Sequence, residues 1–428
     1  MKEKKLSEKA VCFGGADILL PDFNKYNGTK WATIACDQFT SEREYWEAAA
    51  EIVGDVPSTL ALMIPEVYLS ETAKRIPSVH KAMKEYLADV LYEHKDAMIY
   101  LERVQSDGRV RRGLIGAVDL EGYDYNKGAQ SPIRATEGTV IERIPPRVAV
   151  RRDAELELPH VMLLIDDSEK TVIEPLAKKV GEMKTAYDFD LMLGGGHVKG
   201  YFVDKDDREK IYSALEKLSS ADSMTEKYGN AAIAPLLFAV GDGNHSLASA
   251  KAAYEEVKSK IGVEAAATHP SRYALCEVVN LHDEALDFEP IYRVVFGADA
   301  DELIASLKKY AAELSGNGQA QRVKCIIGDK EEEILFADPV QQLTVGTLQS
   351  FLDDYAKSHE KTEIDYIHGE DSLRALASKD DVVGFLFDGM SKDELFRTVI
   401  FDGALPRKTF SMGHARDKRY YLECRKIK

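Results

Sequence analysis

The chain has 428 residues, 45% of them hydrophobic and 30% charged, with 56 Lys and Arg against 73 Asp and Glu and a formal net charge of −17. That length suits two or three domains with cores of their own, and the acidic balance argues against wrapping nucleic acid. No apolar run is long enough to span a bilayer, and the charged start MKEKKLSEKA leads to Gly14-Gly15-Ala16-Asp17 rather than to an apolar signal core, so a cytoplasmic protein without a membrane segment is expected.

In the first third, Trp31 to Cys36 reads as a strand, and Ser41 with Glu44 reads as a capping box opening a helix through Trp46 to Val53. Leu60 to Ile64 is a short apolar run, and Ser78 to His94 is an amphipathic helix. Met98 to Val104, the pair Asp107-Gly108, and Val110 to Val118 predict a β-hairpin. Two basic groups, Arg109/Arg111/Arg112 and Arg147/Arg151/Arg152, read as solvated faces of strands.

The middle opens with SPIRATEGTVIERIPPR, in which Arg134, Glu137, Thr139, Glu142, Arg143 and Arg147 lie in an irregular stretch broken by Gly138, Pro145 and Pro146. Loops of this kind display binding groups, and they also serve as plain solvated connections. Pro159 to Ile165 reads as a buried strand. Gly194-Gly195-Gly196 lacks the Lys and hydroxyl of a Walker loop and reads as a hairpin turn. Asp206 to Leu218 is a helix.

The stretch from Ile233 to Ile261, IAPLLFAVGDGNHSLASAKAAYEEVKSKI, concentrates the chemistry. Ile233 to Val240 is of strand length, Gly241-Asp242-Gly243-Asn244 is turn chemistry, and Leu247, Ala250, Tyr254 and Val257 recur at helical spacing. A helix opening on glycines offers unpaired N–H groups and partial positive charge to an anion. Asp242, Asn244, His245 and Ser246 crowd metal-capable, proton-transferring and hydrogen-bonding groups into that turn. Asn244 or Ser246 equally suits a helix N-cap, and Asp242-Gly243 an ordinary turn.

Beyond it, Tyr273 to Leu281 and Phe288 to Phe296 read as strands, followed by alternating helices and strands: Asp301 to Leu314, Val323 to Ile327, Thr344 to Tyr355, Glu363 to Ile367, Val382 to Phe387 and Lys392 to Val399. The five cysteines are scattered without C-x-x-C spacing and read as reduced thiols. No zinc-ligand spacing, G-x-S-x-G elbow or H-E-x-x-H helix occurs. The pattern predicts an α/β (α+β) protein of mixed sheets, divided at residues 1–118, 119–298 and 299–428.

Four segments in order resemble a large prokaryotic family of unknown function related to free-serine kinases of the SerK type and to the ParB/sulfiredoxin fold. Gly241-Asp242-Gly243-Asn244-His245-Ser246-Leu247 is similar to its A-D-G-H-H-R-Y motif, and Arg134-Ala135-Thr136-Glu137-Gly138-Thr139 to R-H-E-x-T with one residue inserted. Pro290-Ile291-Tyr292-Arg293 is similar to P-x-H-R, and Leu405-Pro406-Arg407-Lys408-Thr409-Phe410 to M-P-x-K-S-T. Asn244, Ser246 and Tyr292 depart from the motif histidine, arginine and histidine. The loss of the arginine removes a bidentate phosphate ligand.

The resemblance implies a ParB/sulfiredoxin-like core with flanking α/β segments and a phosphotransferase acting on a small hydroxyl compound, with free serine the leading acceptor. ATP, ADP or pyrophosphate would be the donor, with Mg2+. It implies Glu137 as base with His245 as the rival, and Asp242, Gly243, Asn244 and Ser246 at the donor, Asp242 also as metal ligand. Arg134, Arg143, Arg293 and Lys408 would neutralise phosphate. The alternative is a nucleotide- or metabolite-binding regulatory protein of the same fold without catalysis.

Overall fold

In the computed structural model, which describes residues 10–138, 144–229 and 233–428, the chain divides into two units. The first comprises residues 1–135, 139–286 and 414–428; the second comprises residues 136–138 and 287–413. The expected divisions near residues 118 and 298 do not coincide with these units. Hydrogen-bonded strands on both sides of residue 118 share one sheet, and the last fifteen residues of the chain return to the first unit.

The labelled elements of the first unit are helices α1 (Arg43–Val53) and α2 (Thr72–Asp89), strands β1 (Ile99–Val104), β2 (Val110–Asp119) and β3 (Ile133–Ala135), helix α3 (Ile144–Arg152), strands β4 (Met162–Ile165), β5 (Lys184–Asp190) and β6 (His197–Phe202), helix α4 (Lys205–Leu218), strand β7 (Phe238–Asp242), helix α5 (Asn244–Ile261) and strand β8 (Tyr273–Asn280). Their sheet runs β5-β6-β1-β2-β8-β4-β7-β3, with Tyr123–Asp124 beyond β3 and Phe13–Gly14 against β2. Most pairs are antiparallel; β4 with β8, β7 with β3, and β3 with Tyr123–Asp124 are parallel.

Period-two alternation explains how this sheet is buried on both faces. Ile99, Leu101, Ile115, Ala117 and Leu275 enter one apolar cluster, whereas Tyr100, Leu114, Val118, Ala274 and Cys276, one residue out of phase, enter another. The hairpin β1–β2 forms as its turn pair predicts: Gly108 takes φ +86°, a conformation that glycine adopts without steric cost. The triple glycine likewise joins β5 and β6 as a hairpin.

Several local expectations are corrected. Trp31 closes a four-residue helix, and the strand is confined to Thr33–Ile34. Helix α1 begins at Arg43 with no side-chain cap bond, so the Ser41/Glu44 capping box is not formed. Helix α2 starts earlier than expected and stops at Asp89, where Leu91–Ala97 pairs as a strand with Ala16–Pro21. Pro145 and Pro146 fall in the first turn of α3, where a missing N–H costs little, so Arg147, Arg151 and Arg152 lie on a helix rather than a strand. Arg111 is no solvated residue: it is 3% exposed.

The second unit contains β9 (Phe288–Phe296), α6 (Ala300–Glu313), β10 (Gln321–Ile327), β11 (Lys330–Phe336), α7 (Thr344–Ser358), β12 (Glu363–His368), α8 (Glu370–Ala377), β13 (Val382–Phe387), α9 (Lys392–Phe401) and β14 (Phe410–Met412). Its antiparallel sheet runs β11-β10-β13-β9-β12, with β14 against β9. Val294, Ile326, Val382 and Leu386 pack with Leu373 and Ala377 of α8. The overall expectation of an α+β protein with mixed sheets is met by these two units.

Candidate functional site

The turn between β7 and α5 is shaped by a bulge. Antiparallel pairing sets Met162 opposite Asp242 but Leu163 opposite Val240, so Gly241 is the extra residue and the strand bends where Asp242 is presented. The same register carries the chain before β4 past the turn. At Gly243, with φ +81°, an added Cβ would lie 2.8 Å from His160 Cδ2 and 3.1 Å from Val161 Cα. Helix α5 starts at Asn244 with Gly243 as its cap residue and no side-chain cap bond, so neither Asn244 nor Ser246 serves as N-cap.

A second pairing brings the chain's two distant ends to this place. Tyr420 and Tyr421 pair antiparallel with Ile34 and Thr33, and Ala35 N–H donates to Arg419 O at 2.9 Å. His160 then bridges the segments: its Nε2 is 3.1 Å from Asp37 Oδ2 and its Nδ1 is 2.7 Å from the Tyr421 hydroxyl. The Tyr421 hydroxyl donates to Cys36 Sγ at 3.2 Å, and Gln38 Nε2 donates to Asp37 Oδ1 at 2.9 Å. Lys418 Nζ lies 3.3 Å from Asp242 Oδ2.

The charge state follows from these neighbours. Burial alone would push His160 towards neutrality, but the Asp37 carboxylate overrides it and holds the imidazole well above its ordinary value. Burial would likewise raise Asp37, but His160, Gln38 and Lys418 hold its carboxyl well below the usual range. With both ring nitrogens protonated, His160 donates to Asp37 and to Tyr421 and presents a fixed cation against Gly243. Sequence reasoning missed Asp37, His160, Lys418 and Tyr421, since none lies in a motif and each reaches the turn through long-range pairing.

The nominated residues fall in different places. Asp242, Gly243, Asn244, His245 and Ser246 form the β7–α5 turn and the first turn of α5. Asp242 Oδ1 accepts the Gly243 N–H at 3.0 Å, and His245 O accepts from Ser249 Oγ at 2.7 Å. Arg134 lies on β3 opposite Ala239 of β7, so Ile133–Ala135 and the strand that leads into the turn share a sheet. Its side chain is 2% exposed and donates to the carbonyls of Ser131, at 2.8 Å, and Ala234, at 2.8 Å. Burial pushes its pKa down to about 10, still a cation at neutral pH. Arg143 lies outside the described residues, as do Thr139 and Glu142.

Glu137, Arg293 and Lys408 belong to the second unit. Glu137 forms a parallel bridge to Leu405, and Leu405 N–H donates to Thr136 O at 2.7 Å. Arg293 is fully buried: Nε donates to Gln349 Oε1 at 2.7 Å, Nη1 to Ile291 O at 2.6 Å and Lys408 O at 3.0 Å, and Nη2 to Arg407 O at 2.9 Å. Its guanidinium thereby clamps the loop that holds Lys408 at φ +49°, while Lys408 Nζ sits 5.5 Å from the Tyr366 ring centroid. Three of the motif-like elements, those of Glu137, Arg293 and Lys408, are thus joined directly. Among the described residues no group of three or more His, Cys, Asp or Glu side chains is arranged to hold a metal, and no helix is long and apolar enough to cross a membrane.

The family model DUF1015, described as a protein of unknown function, matches residues 22–423, and the chain belongs to that family. Among solved structures, a mutant free serine kinase in complex with ADP is similar at 12% identity, over 75% of this chain and 93% of that one, with a TM-score of 0.35. A conserved hypothetical protein from Pyrococcus furiosus is similar at 11% identity over 70% and 90%, with a TM-score of 0.33. SbnI with a C-terminal truncation, from Staphylococcus aureus, is similar at 10% over 72% and 82%, with a TM-score of 0.32. No curated protein matches this chain.

Proposed function

We propose that the protein is a small-molecule phosphotransferase of the free-serine-kinase kind, built on a ParB/sulfiredoxin-like core, with a nucleotide or pyrophosphate as donor. The observation that carries the reading is the β7–α5 junction: a bulged strand, a left-handed Gly243 and an 18-residue helix opening beside two cations, Lys418 and His160. Such a junction favours an anion through the positive end of the helix dipole and the cations beside it. Phosphoryl transfer asks a protein mainly for positioning and charge stabilisation, with one carboxylate to orient or deprotonate the attacking hydroxyl.

In this reading Asp242, Gly243, Asn244, His245 and Ser246 hold the donor, and the base is the one the motif resemblance implies, Glu137, with His245 as its rival. Arg134 clamps the Ser131 and Ala234 carbonyls beside β7, and the motif resemblance carries Arg134, Arg143, Arg293 and Lys408 over as cations that neutralise phosphate. Asp242 also suits Mg2+ carried in with the donor, because such an ion needs only one or two carboxylates and supplies charge neutralisation on the phosphates. The acceptor is a small hydroxyl compound, free serine first, and no nucleic acid partner is proposed. Incubating the protein with serine and ATP, ADP or pyrophosphate in turn, and assaying for phosphoserine, tests this; no phosphoserine with any donor would count against it.

Asn244 and Ser246, where the motif has histidine and arginine, favour a second reading: a member that binds a nucleotide or metabolite and does no chemistry. Calorimetric binding of ADP by a protein that forms no phosphoserine would select it.

A further inference from the structure

We infer that Lys418 takes the place of the motif arginine that Ser246 replaces, as the cation that meets the donor phosphate; the inference rests on the phosphotransferase reading above. Lys418 is far from the turn in sequence and in none of the motif-like elements, yet its ammonium stands 3.3 Å from Asp242 Oδ2. An ammonium carries three donors, more than one carboxylate oxygen takes up, so it can meet an incoming anion as well. The side chain is 14% exposed, so it borders solvent without being free to wander in it.

Its placement is imposed by its neighbours. Asp417 is pinned through both carboxylate oxygens, Oδ1 accepting Ser106 N–H at 2.8 Å and Oδ2 accepting Ser106 Oγ at 2.9 Å, while its carbonyl accepts from Arg111 Nη1 at 2.7 Å. Arg419 is pinned from the other side: Nη1 meets Glu277 Oε2 at 3.2 Å, Nη2 meets Glu423, and its carbonyl accepts Ala35 N–H. Glu277 and Glu423 are fully buried. A buried ion network is a poor source of net stability but a good means of holding one geometry. Here it holds the two residues flanking Lys418, so the lysine arrives at Asp242 already oriented. A lysine is a point charge rather than a planar fork, and it can meet phosphate from a different direction than an arginine at position 246 would.

The test is calorimetric titration of the full chain with ADP, pyrophosphate and inorganic phosphate, each with and without Mg2+, on wild type, Lys418→Met and the double variant Lys418→Met/Ser246→Arg. Lys418→Met should bind the best of these probes at least about tenfold more weakly with its melting temperature little changed, and Ser246→Arg should recover most of the loss. Recovery is the readout that a purely structural lysine would not give. Equal affinity for wild type and Lys418→Met overturns the inference, and so does a weakened variant that Ser246→Arg fails to restore. A wild type that binds none of the three probes removes the underlying reading instead. Lys418→Gln carries the same comparison if Lys418→Met does not fold.

Discussion

His160 Nε2 stands 3.1 Å from Asp37 Oδ2, so a carboxylate near the start of the chain fixes the charge of an imidazole that packs against Gly243. This pair joins the Asp37 loop to the segment before β4, and its hydroxyl partner Tyr421 adds the C-terminal segment. Its electrostatics are open to measurement.

The stability that the pair contributes should depend on pH in a defined window. Asp37 is held below its ordinary 3.8, so its share is present above that value and is lost as pH falls through the lowered one. His160 is held above its ordinary 6.5, so its share is complete below 6.5 and is lost as pH rises through the raised value. The difference in unfolding free energy between wild type and His160→Gln, from urea titrations, should therefore be greatest between about pH 4 and 6.5 and shrink on either side. A difference that stays constant up to pH 9 would show that no imidazolium is involved.

Gly243→Ala should destabilise the protein by about 1–3 kcal/mol, because a side chain at a positive φ is strained and its Cβ would press on His160 and Val161. Binding of ADP or pyrophosphate should weaken along with it, since the backbone could no longer hold the turn. A variant as stable as wild type in chemical denaturation would contradict the left-handed conformation at this residue.

Glu277 joins Arg111, at 3.2 Å, and Arg419, at 3.2 Å, with all three side chains excluded from solvent. Burial would raise the Glu277 carboxyl, yet Arg111 and Arg419 hold it below its ordinary value, so it is ionised. Glu277→Ala leaves the buried Arg111 without its carboxylate and Arg419 with Glu423 alone, and should cost about 3–5 kcal/mol in unfolding experiments. A loss under ~1 kcal/mol would mean that water or another carboxylate reaches the arginines.

If Glu137 is the base, Glu137→Gln should lower kcat by roughly 10²–10⁴-fold with donor affinity nearly intact. His245→Ala should chiefly impair donor binding. Near-wild-type turnover in Glu137→Gln, with a verified donor and acceptor, would move the role to His245, whose ordinary pKa lies nearer neutrality.

Local patterns were enough to find most elements. The alternation in β1 and β2, the Asp107-Gly108 turn between them and the start of α5 stand where periodicity places them, whereas the strand before Asp242 is Phe238–Asp242 rather than Ile233–Val240, and β11 and α8 join the expected elements between Phe288 and Val399. That is because residues two or four apart decide which face of a strand or helix is apolar. The site's other half has no such signal. Asp37, His160, Lys418 and Tyr421 meet at the turn only because β4 and β7 pair antiparallel and because the C-terminal segment pairs with Thr33–Ile34. Those registers are chosen by the total apolar area that a sheet buries on both faces, a property of the whole unit and of no short stretch. The same holds for charge. Arg111 looked like a surface cation and is buried against Glu277, while Arg134 and Arg293 spend their guanidinium donors mainly on backbone carbonyls, with Arg293 adding Gln349. Residue type named the groups that could do chemistry; tertiary pairing decided which of them stand together at Asp242.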